Sequence, residues 1–184
     1  ELASAFLTAV KENPTIEKLD IISISIDDMN TDIKYSIYGL RGWSESIGDK
    51  TMAIPLFKRL LKKDHEKYLR DLISIASELV GEEDDDVDVI NFLVKTSLRF
   101  NEDFHKIQMD VKKGTSIQNL VMVGINTPYG EAAKELVHVK DSKFKDIIFE
   151  TFEKILFDAP TDARAAALFQ FAFLMNLDRD RAFD

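Results

Sequence analysis

The sequence has no cysteine and little glycine or proline, with 7 Gly and 4 Pro among its 184 residues. The missing cysteine excludes disulfides, thiolate-bound metals and cysteine nucleophiles, and it favours a reducing, cytoplasmic compartment. So few Gly and Pro residues argue against an all-β chain with many tight turns. No apolar run reaches the roughly 18 residues that a membrane-spanning helix needs. These absences favour a helical, cytoplasmic protein.

Positive charge is also scarce in this chain. Its 24 Lys and Arg residues stand against 33 Asp and Glu residues, which gives a net charge of −9 at pH 7. Such a charge disfavours nucleic acid and anionic membranes as partners. Hydrophobic residues make up 45% of the chain and charged residues 31%, as in ordinary soluble domains. The composition therefore predicts a folded domain without a membrane partner and disfavours nucleic acid, whose binding would need a basic strip formed by Lys58, Arg59, Lys62, Lys63 and Arg70.

Apolar residues recur at helical spacing in two long segments. Residues 51–80 are predicted to form a helix pair, because Leu56 and Leu60 precede a one-sided stripe that starts at Leu69. Residues 144–175 repeat the pattern. Their first stripe contains Phe144, Ile148, Phe152 and Ile155, and the second contains Ala167, Leu168, Phe171, Leu174 and Met175.

The first 48 residues carry two overlapping patterns. Residues 22–26 and 33–37 alternate apolar and polar side chains, which is the period of two strands joined as a β-hairpin. The same region also fits one face of a helix, through Ile16, Leu19, Ile22 and Ile26. Because the neighbouring segments are helical, we favour helices here and keep the hairpin as the alternative.

An acidic residue precedes a basic residue by the same interval at three places, namely Asp64-x5-Arg70, Asp158-x5-Arg164 and the weaker Asp28-x5-Lys34. Each acid is predicted to cap the start of a helix, with the base two turns further on. The copies start 36 and 94 residues apart, close to one and two periods of two- or three-helix repeats. The spacing therefore predicts a stack of helix pairs.

Two segments look like ligand-binding loops but lack the defining residues. In residues 42–51, five residues separate the glycines where a phosphate loop has four, and Asp49 splits the Gly-Lys pair. In the acidic stretch 82–88, aspartates alternate as in a calcium loop, but the required Gly and Glu are replaced by Val89 and Lys95. We interpret the first as a turn and the second as a helix start.

No catalytic constellation stands out in the sequence. Glu102-x-x-His105 is one half of a di-iron motif that needs two copies, and His65 and His138 lie elsewhere. We therefore predict no enzymatic activity and no metal or cofactor. If the chain is instead a stand-alone helical enzyme or ligand-binding bundle, Glu102, His105 and the 82–88 stretch are its first candidate residues.

Phenylalanine is concentrated near the end of the chain, where 7 of the 13 Phe residues lie between 144 and 173. Most of them fit a core between stacked helices. Phe149, Phe157 and Phe173 fall outside the main stripes, so we predict that they face another domain or subunit.

A tight corner is predicted at residues 126–130. Asn126 and Thr127 are suited to helix caps, and Pro128 suits the first position of the next helix. Gly130, after Tyr129, would let a neighbouring helix approach closely. These five residues, with Asp64, Arg70, Asp158 and Arg164, are the structural or interaction candidates of the sequence.

The corner resembles one found in the helical repeat region of large bacterial ATP-binding proteins, including signal-transducing, STAND-like NTPases of the antiphage kind. Their Asn-Ser/Thr-x-Arg-Gly-x-Ala pattern is matched from Asn126 to Ala132, with Tyr129 in place of the arginine. Residues 178–182 match the Asp-Arg-Asp-Arg-Ala run that follows, and Asp158-x5-Arg164 between them is similar to the second helix of a HEAT repeat. The resemblance covers residues 120–184 and implies a scaffold or sensor region whose nucleotide site lies outside this chain.

The fold predicted is an all-α superhelix of stacked antiparallel helix pairs, similar to HEAT or armadillo repeats. We expect residues 1–184 to form a single helical-repeat domain within a longer protein. The predicted function is a non-catalytic scaffold or sensor segment in a larger bacterial NTPase, in phage defence if the resemblance extends that far. Its predicted partners are other proteins or adjacent domains of the parent chain.

Overall fold

The computed structural model of the protein describes residues 1–81, 84–100 and 116–182. Within these residues the chain forms α-helices and short 3₁₀ segments and contains no strand. The all-α prediction is therefore confirmed. The segments with the alternating pattern form helices, and the β-hairpin alternative is wrong, because residues 16–27 form one helix that buries Leu19, Ile22 and Ile26 while Ile16 stays exposed.

The helices fall into two compact units, Glu1–Val80 and Gly81–Asp184. The first unit contains α1 (Leu2–Glu12), α2 (Ile16–Asp27), α3 (Ile33–Ser44), α4 (Ile54–Leu60) and α5 (Leu69–Leu79), with 3₁₀ segments at Lys50–Met52 and Glu66–Tyr68. The second contains α6 (Val87–Ser97), α7 (Ile117–Ile125), α8 (Pro128–Leu136), α9 (Lys145–Asp158) and α10 (Thr161–Phe171), with 3₁₀ segments at Ser142–Phe144 and Ala172–Asn176.

Helix α3 is the centre of the first unit and contacts α1, α2, α4 and α5. Two glycines on α3 allow α1 and α2 to come close. A Cβ atom at Gly42 would overlap the carbonyl oxygen of Leu7, and one at Gly39 would lie 2.5 Å from Phe6 Cε1 and 2.8 Å from Ile22 Cγ1. Two helices are present within residues 51–80, as α4 and α5, but α4 packs on α2 and α5 packs on α3 more than the two pack on each other.

A chain of ion pairs connects α1, α3 and α5. Arg41 donates from Nε to Glu45 at 2.7 Å and from Nη1 to Asp71 at 2.9 Å. Lys11 also donates to Glu45, at 2.9 Å. Partial burial opposes the charge on Glu45, but hydrogen bonds from Lys11 and Arg41 outweigh it and hold the pKa of this carboxyl below its ordinary value. The network orients three helices while remaining partly in water.

Helix α10 is the centre of the second unit and contacts α7, α8 and α9. Its buried face consists of Ala163, Ala166, Ala167 and Gln170. Leu168 and Met175, which we predicted in the same stripe as Ala167, are exposed. The reason is that neighbouring helices lie close to α10 and leave room only for small side chains there. The stripe predicted for α9 is buried as expected, through Phe144, Ile148, Phe152 and Ile155.

The charged run near the end of the chain packs on α9 through two of its members. Asp178 accepts from Lys145 at 3.2 Å, and Arg181 donates to Asp146 at 2.5 Å. The Arg181 guanidinium also lies 4.8 Å from the ring centre of Phe149, a cation–π distance. Phe149 is therefore buried within its own unit, and our prediction that it faces another domain or subunit is wrong.

The α1–α3 contact can be tested with two alanine variants. Gly42→Ala should lower the free energy of unfolding of the first unit by about 2 kcal/mol, because its Cβ would meet backbone. Gly39→Ala should cost less, because its Cβ meets side-chain atoms of Phe6 and Ile22, which can shift more easily than backbone. Urea unfolding followed by the fluorescence of Trp43, the single tryptophan, measures both. Equal losses would contradict this packing.

Candidate functional site

The corner at residues 126–130 joins α7 to α8 with the capping predicted from the sequence. Thr127 is the N-cap of α8, and its Oγ1 accepts from Gly130 N at 3.1 Å. The same hydroxyl donates to Gly124 O at 2.6 Å, and Pro128 occupies the first helical turn. Asn126 ends α7 and donates from Nδ2 to Met122 O at 2.7 Å. The predicted caps at Asn126 and Thr127 are confirmed.

Gly124 and Gly130 bring three helices into close contact at this corner. A Cβ atom on Gly124 would overlap Asp162 O and lie 2.7 Å from Ala166 Cβ, both on α10. A Cβ on Gly130 would overlap the carbonyl oxygen of Gly124 on α7. The predicted close approach at Gly130 is confirmed. Gly124 has the same role toward α10, which we did not predict because that partner is remote in sequence.

Tyr129 attaches the corner to the start of α10. Its side chain is buried, and its hydroxyl donates to Asp162 Oδ2 at 2.8 Å. Burial, followed by this hydrogen bond to a carboxylate, raises the pKa of Tyr129 well above its ordinary value of about 10. The phenol is therefore held neutral, and the donor in this contact is an uncharged group.

The corner acts as a structural joint. Its glycine and tyrosine are buried, its threonine and proline half-buried, and only Asn126 is exposed. Asn126, Thr127 and Tyr129 each donate a side-chain hydrogen bond to the protein. What the geometry provides is a fixed arrangement of α7, α8 and α10.

The Asp-x5-Arg spacing does not mark helix starts in the way we predicted. Helix α5 begins at Leu69, after a 3₁₀ segment, and Asp64 is exposed and caps neither element. Asp158 is the last residue of α9, and α10 begins three residues later, after Pro160. Both predicted caps are wrong, because a local 3₁₀ segment or a proline decides where each helix begins. Arg70 and Arg164 are exposed on α5 and α10.

The third copy of the spacing, Asp28-x5-Lys34, does not mark a helix start either, because another aspartate caps the helix that follows. Asp28 ends α2, and the side chain that caps α3 is that of Asp32, which accepts from Lys34 N at 2.9 Å. The same local bond, from an aspartate to the amide two residues on, occurs at Asp49, Asp86 and Asp141. Asp followed by a helix is the pattern that would have identified these caps.

The two loop-like segments form a turn between helices and a helix start, as interpreted from the sequence. Asp49 caps the 3₁₀ segment at Lys50–Met52, and Asp86 caps α6. Glu82, Glu83, Glu102 and His105 lie outside the described residues. Among the residues that are described, no three His, Asp or Glu side chains are grouped so that they could hold a metal.

In the second unit Val87, Ile117 and Met122 are exposed to solvent, and so are five large apolar side chains near the end of the chain. Between 40% and 82% of each is accessible, and they are Phe157, Leu168, Phe169, Phe173 and Met175. Phe157 and Phe173 were predicted to point away from the core. Leu168, Phe169 and Met175 were missed, because periodicity alone does not reveal which side of α10 is covered. We call these five the C-terminal apolar residues.

No protein-family model matches the chain, and neither a curated protein nor a solved structure matches it. In the described ranges, no helix has the length and apolar character needed to cross a lipid bilayer. The site is thus defined by its own geometry, as a helical joint beside the C-terminal apolar residues.

The Tyr129 contact predicts a pH dependence. The folded phenol keeps its proton where an unfolded tyrosine loses it, so unfolding releases a proton above about pH 10 and stability falls as the pH rises further. A titration followed by phenolate absorbance should show one late-ionising tyrosine that Tyr129→Phe removes. Tyr68→Phe, the matched control in the first unit, should retain it. A late step that survives in Tyr129→Phe would contradict the assignment.

Proposed function

We propose that this chain is a non-catalytic helical segment that binds protein, with an adjacent domain of a larger bacterial protein as its most direct partner. The observation that carries the proposal is the exposure of the C-terminal apolar residues. Large apolar side chains that are exposed to water favour protein association, because their removal from water on binding is favourable. Phenylalanine is also among the residues enriched at such interfaces.

The surface is held in place before any partner arrives. Helix α10 packs against α7, α8 and α9, and most of the residues that it buries are alanines. Its exposed side chains Leu168 and Phe169 therefore project from a helix that is held in place. Arg181 and Asp178 fasten the segment that follows to α9. A prearranged surface loses less conformational freedom on binding, which favours affinity.

The resemblance of residues 120–184 to the repeat region of STAND-like antiphage NTPases supports a more specific role. In that role the helices continue as a HEAT-like superhelix in a cytoplasmic protein. This segment then either positions a nucleotide-binding domain that lies elsewhere in the parent protein or binds the protein that triggers that domain. The exposed apolar residues are where such a domain, or the protein that triggers it, would dock.

A triple variant tests the proposal. Leu168→Gln, Phe169→Gln and Phe173→Gln together should weaken binding of this chain to the separately expressed remainder of its parent protein by at least about tenfold, since central apolar anchors dominate interface energies. Biolayer interferometry gives the dissociation constants. All three side chains are exposed, so the variant should fold, which circular dichroism can verify.

The control removes three apolar side chains of the first unit that are even more exposed, as Leu2→Gln, Met29→Gln and Ile47→Gln. This control should bind like the unmodified chain. Equal weakening by both triple variants, or no binding by the unmodified chain, would overturn the proposal.

A further inference from the structure

The first unit has an open cleft beside the turn between α2 and α3. Its volume is about 380 Å³, at the lower end of the range for small-molecule sites. Three helices and the turn contribute to its lining, which includes Phe6, Ile21, Ile24, Asp28, Thr31 and Tyr35.

The walls of the cleft are apolar and accessible. Ile21 is 54% exposed and Ile24 is 70% exposed, although both project from the middle of α2. Phe6 of α1 is half-buried and contributes to the lining with them. A ligand with an apolar body would remove this surface from water, which favours binding in proportion to the area covered.

The polar groups of the cleft come from the α2–α3 turn. Asp28 accepts from Asn30 N at 3.0 Å and from Thr31 Oγ1 at 2.6 Å, so its carboxylate is fixed in position. These bonds, the one from Thr31 first, hold the pKa of Asp28 below its ordinary value. Tyr35 lines the cleft too, and its hydroxyl makes no hydrogen bond within the described part of the chain.

The charge of this lining selects among ligands. Asp28 is its one charged group, and no lysine or arginine is among the described residues that form it. An anionic ligand would be repelled, whereas an ammonium group could donate to the acceptor site that the bonds from Asn30 N, Asn30 Nδ2 and Thr31 Oγ1 leave on this carboxylate.

We propose that this cleft binds a small hydrophobic amine, with its apolar body against Phe6, Ile21 and Ile24 and its ammonium group on Asp28. The volume suits a small molecule, and the single carboxylate beside an apolar wall matches one cationic head. This site lies in the first unit, so it is separate from the protein-binding surface proposed for the second.

Two probes that share a phenylethyl group and differ in charge test the proposal on the full chain. Phenethylammonium and hydrocinnamate would be titrated separately into the ¹⁵N-labelled protein, and amide chemical shifts would be followed by NMR. Phenethylammonium should shift the amides of Ile24, Asp28 and Tyr35 and bind about fivefold more tightly than hydrocinnamate, the upper end for a partly hydrated ion pair. Equal affinities, or shifts spread over the whole surface, would overturn it.

Variants separate the two parts of the site. Asp28→Asn should abolish the preference for phenethylammonium, while Asp20→Asn, an exposed acid on the same helix, should preserve it. Ile24→Ala should weaken both probes, and Met29→Ala, which removes a fully exposed side chain nearby, should weaken neither. Trp43 fluorescence verifies that each variant folds. If the control variants weaken binding as much as the cleft variants, the assignment is wrong.

Discussion

The second unit depends on one close contact, the crossing of α7 and α10 at Gly124. A side chain at this position would overlap the backbone of Asp162, and Gly124 is the only described residue of α7 that is buried. Helix α7 is therefore held where its backbone touches α10. The caps at Asn126 and Thr127, the close approach at Gly130 and the Tyr129–Asp162 hydrogen bond then fix α8 to the same place.

The crossing also explains why the second unit presents apolar side chains to solvent. Because α7 approaches α10 closely at Gly124, only small side chains fit on the face of α10 between the two helices. On that face α10 buries three alanines. Its larger residues, Leu168 and Phe169, consequently lie outside the core. The apolar surface that we propose as a docking site and the tight joint are thus two consequences of one packing arrangement. In the first unit, glycines on α3 have a similar role toward α1 and α2.

Features that depend on neighbouring residues were predictable from the sequence. The Thr127 cap, the Pro128 start and the presence of two helices within residues 51–80 follow from local hydrogen bonding and periodicity, and the structure has them. The outward face of α10 was not predictable, because the choice between an alanine face and a Leu/Phe face depends on Gly124, about forty residues away. Asp64 and Asp158 failed as caps because a 3₁₀ segment and Pro160 shifted the helix starts.

The most direct test of the account is site-resolved hydrogen exchange in a Gly124→Ala variant. If the crossing organises the second unit, amides in α7, α8 and α10 should together exchange at least about tenfold faster, the effect of overpacking by more than about 1.4 kcal/mol. Amides in α1 and α3 should exchange as before. Faster exchange confined to α7, or unchanged exchange in α10, would contradict the central role of this contact.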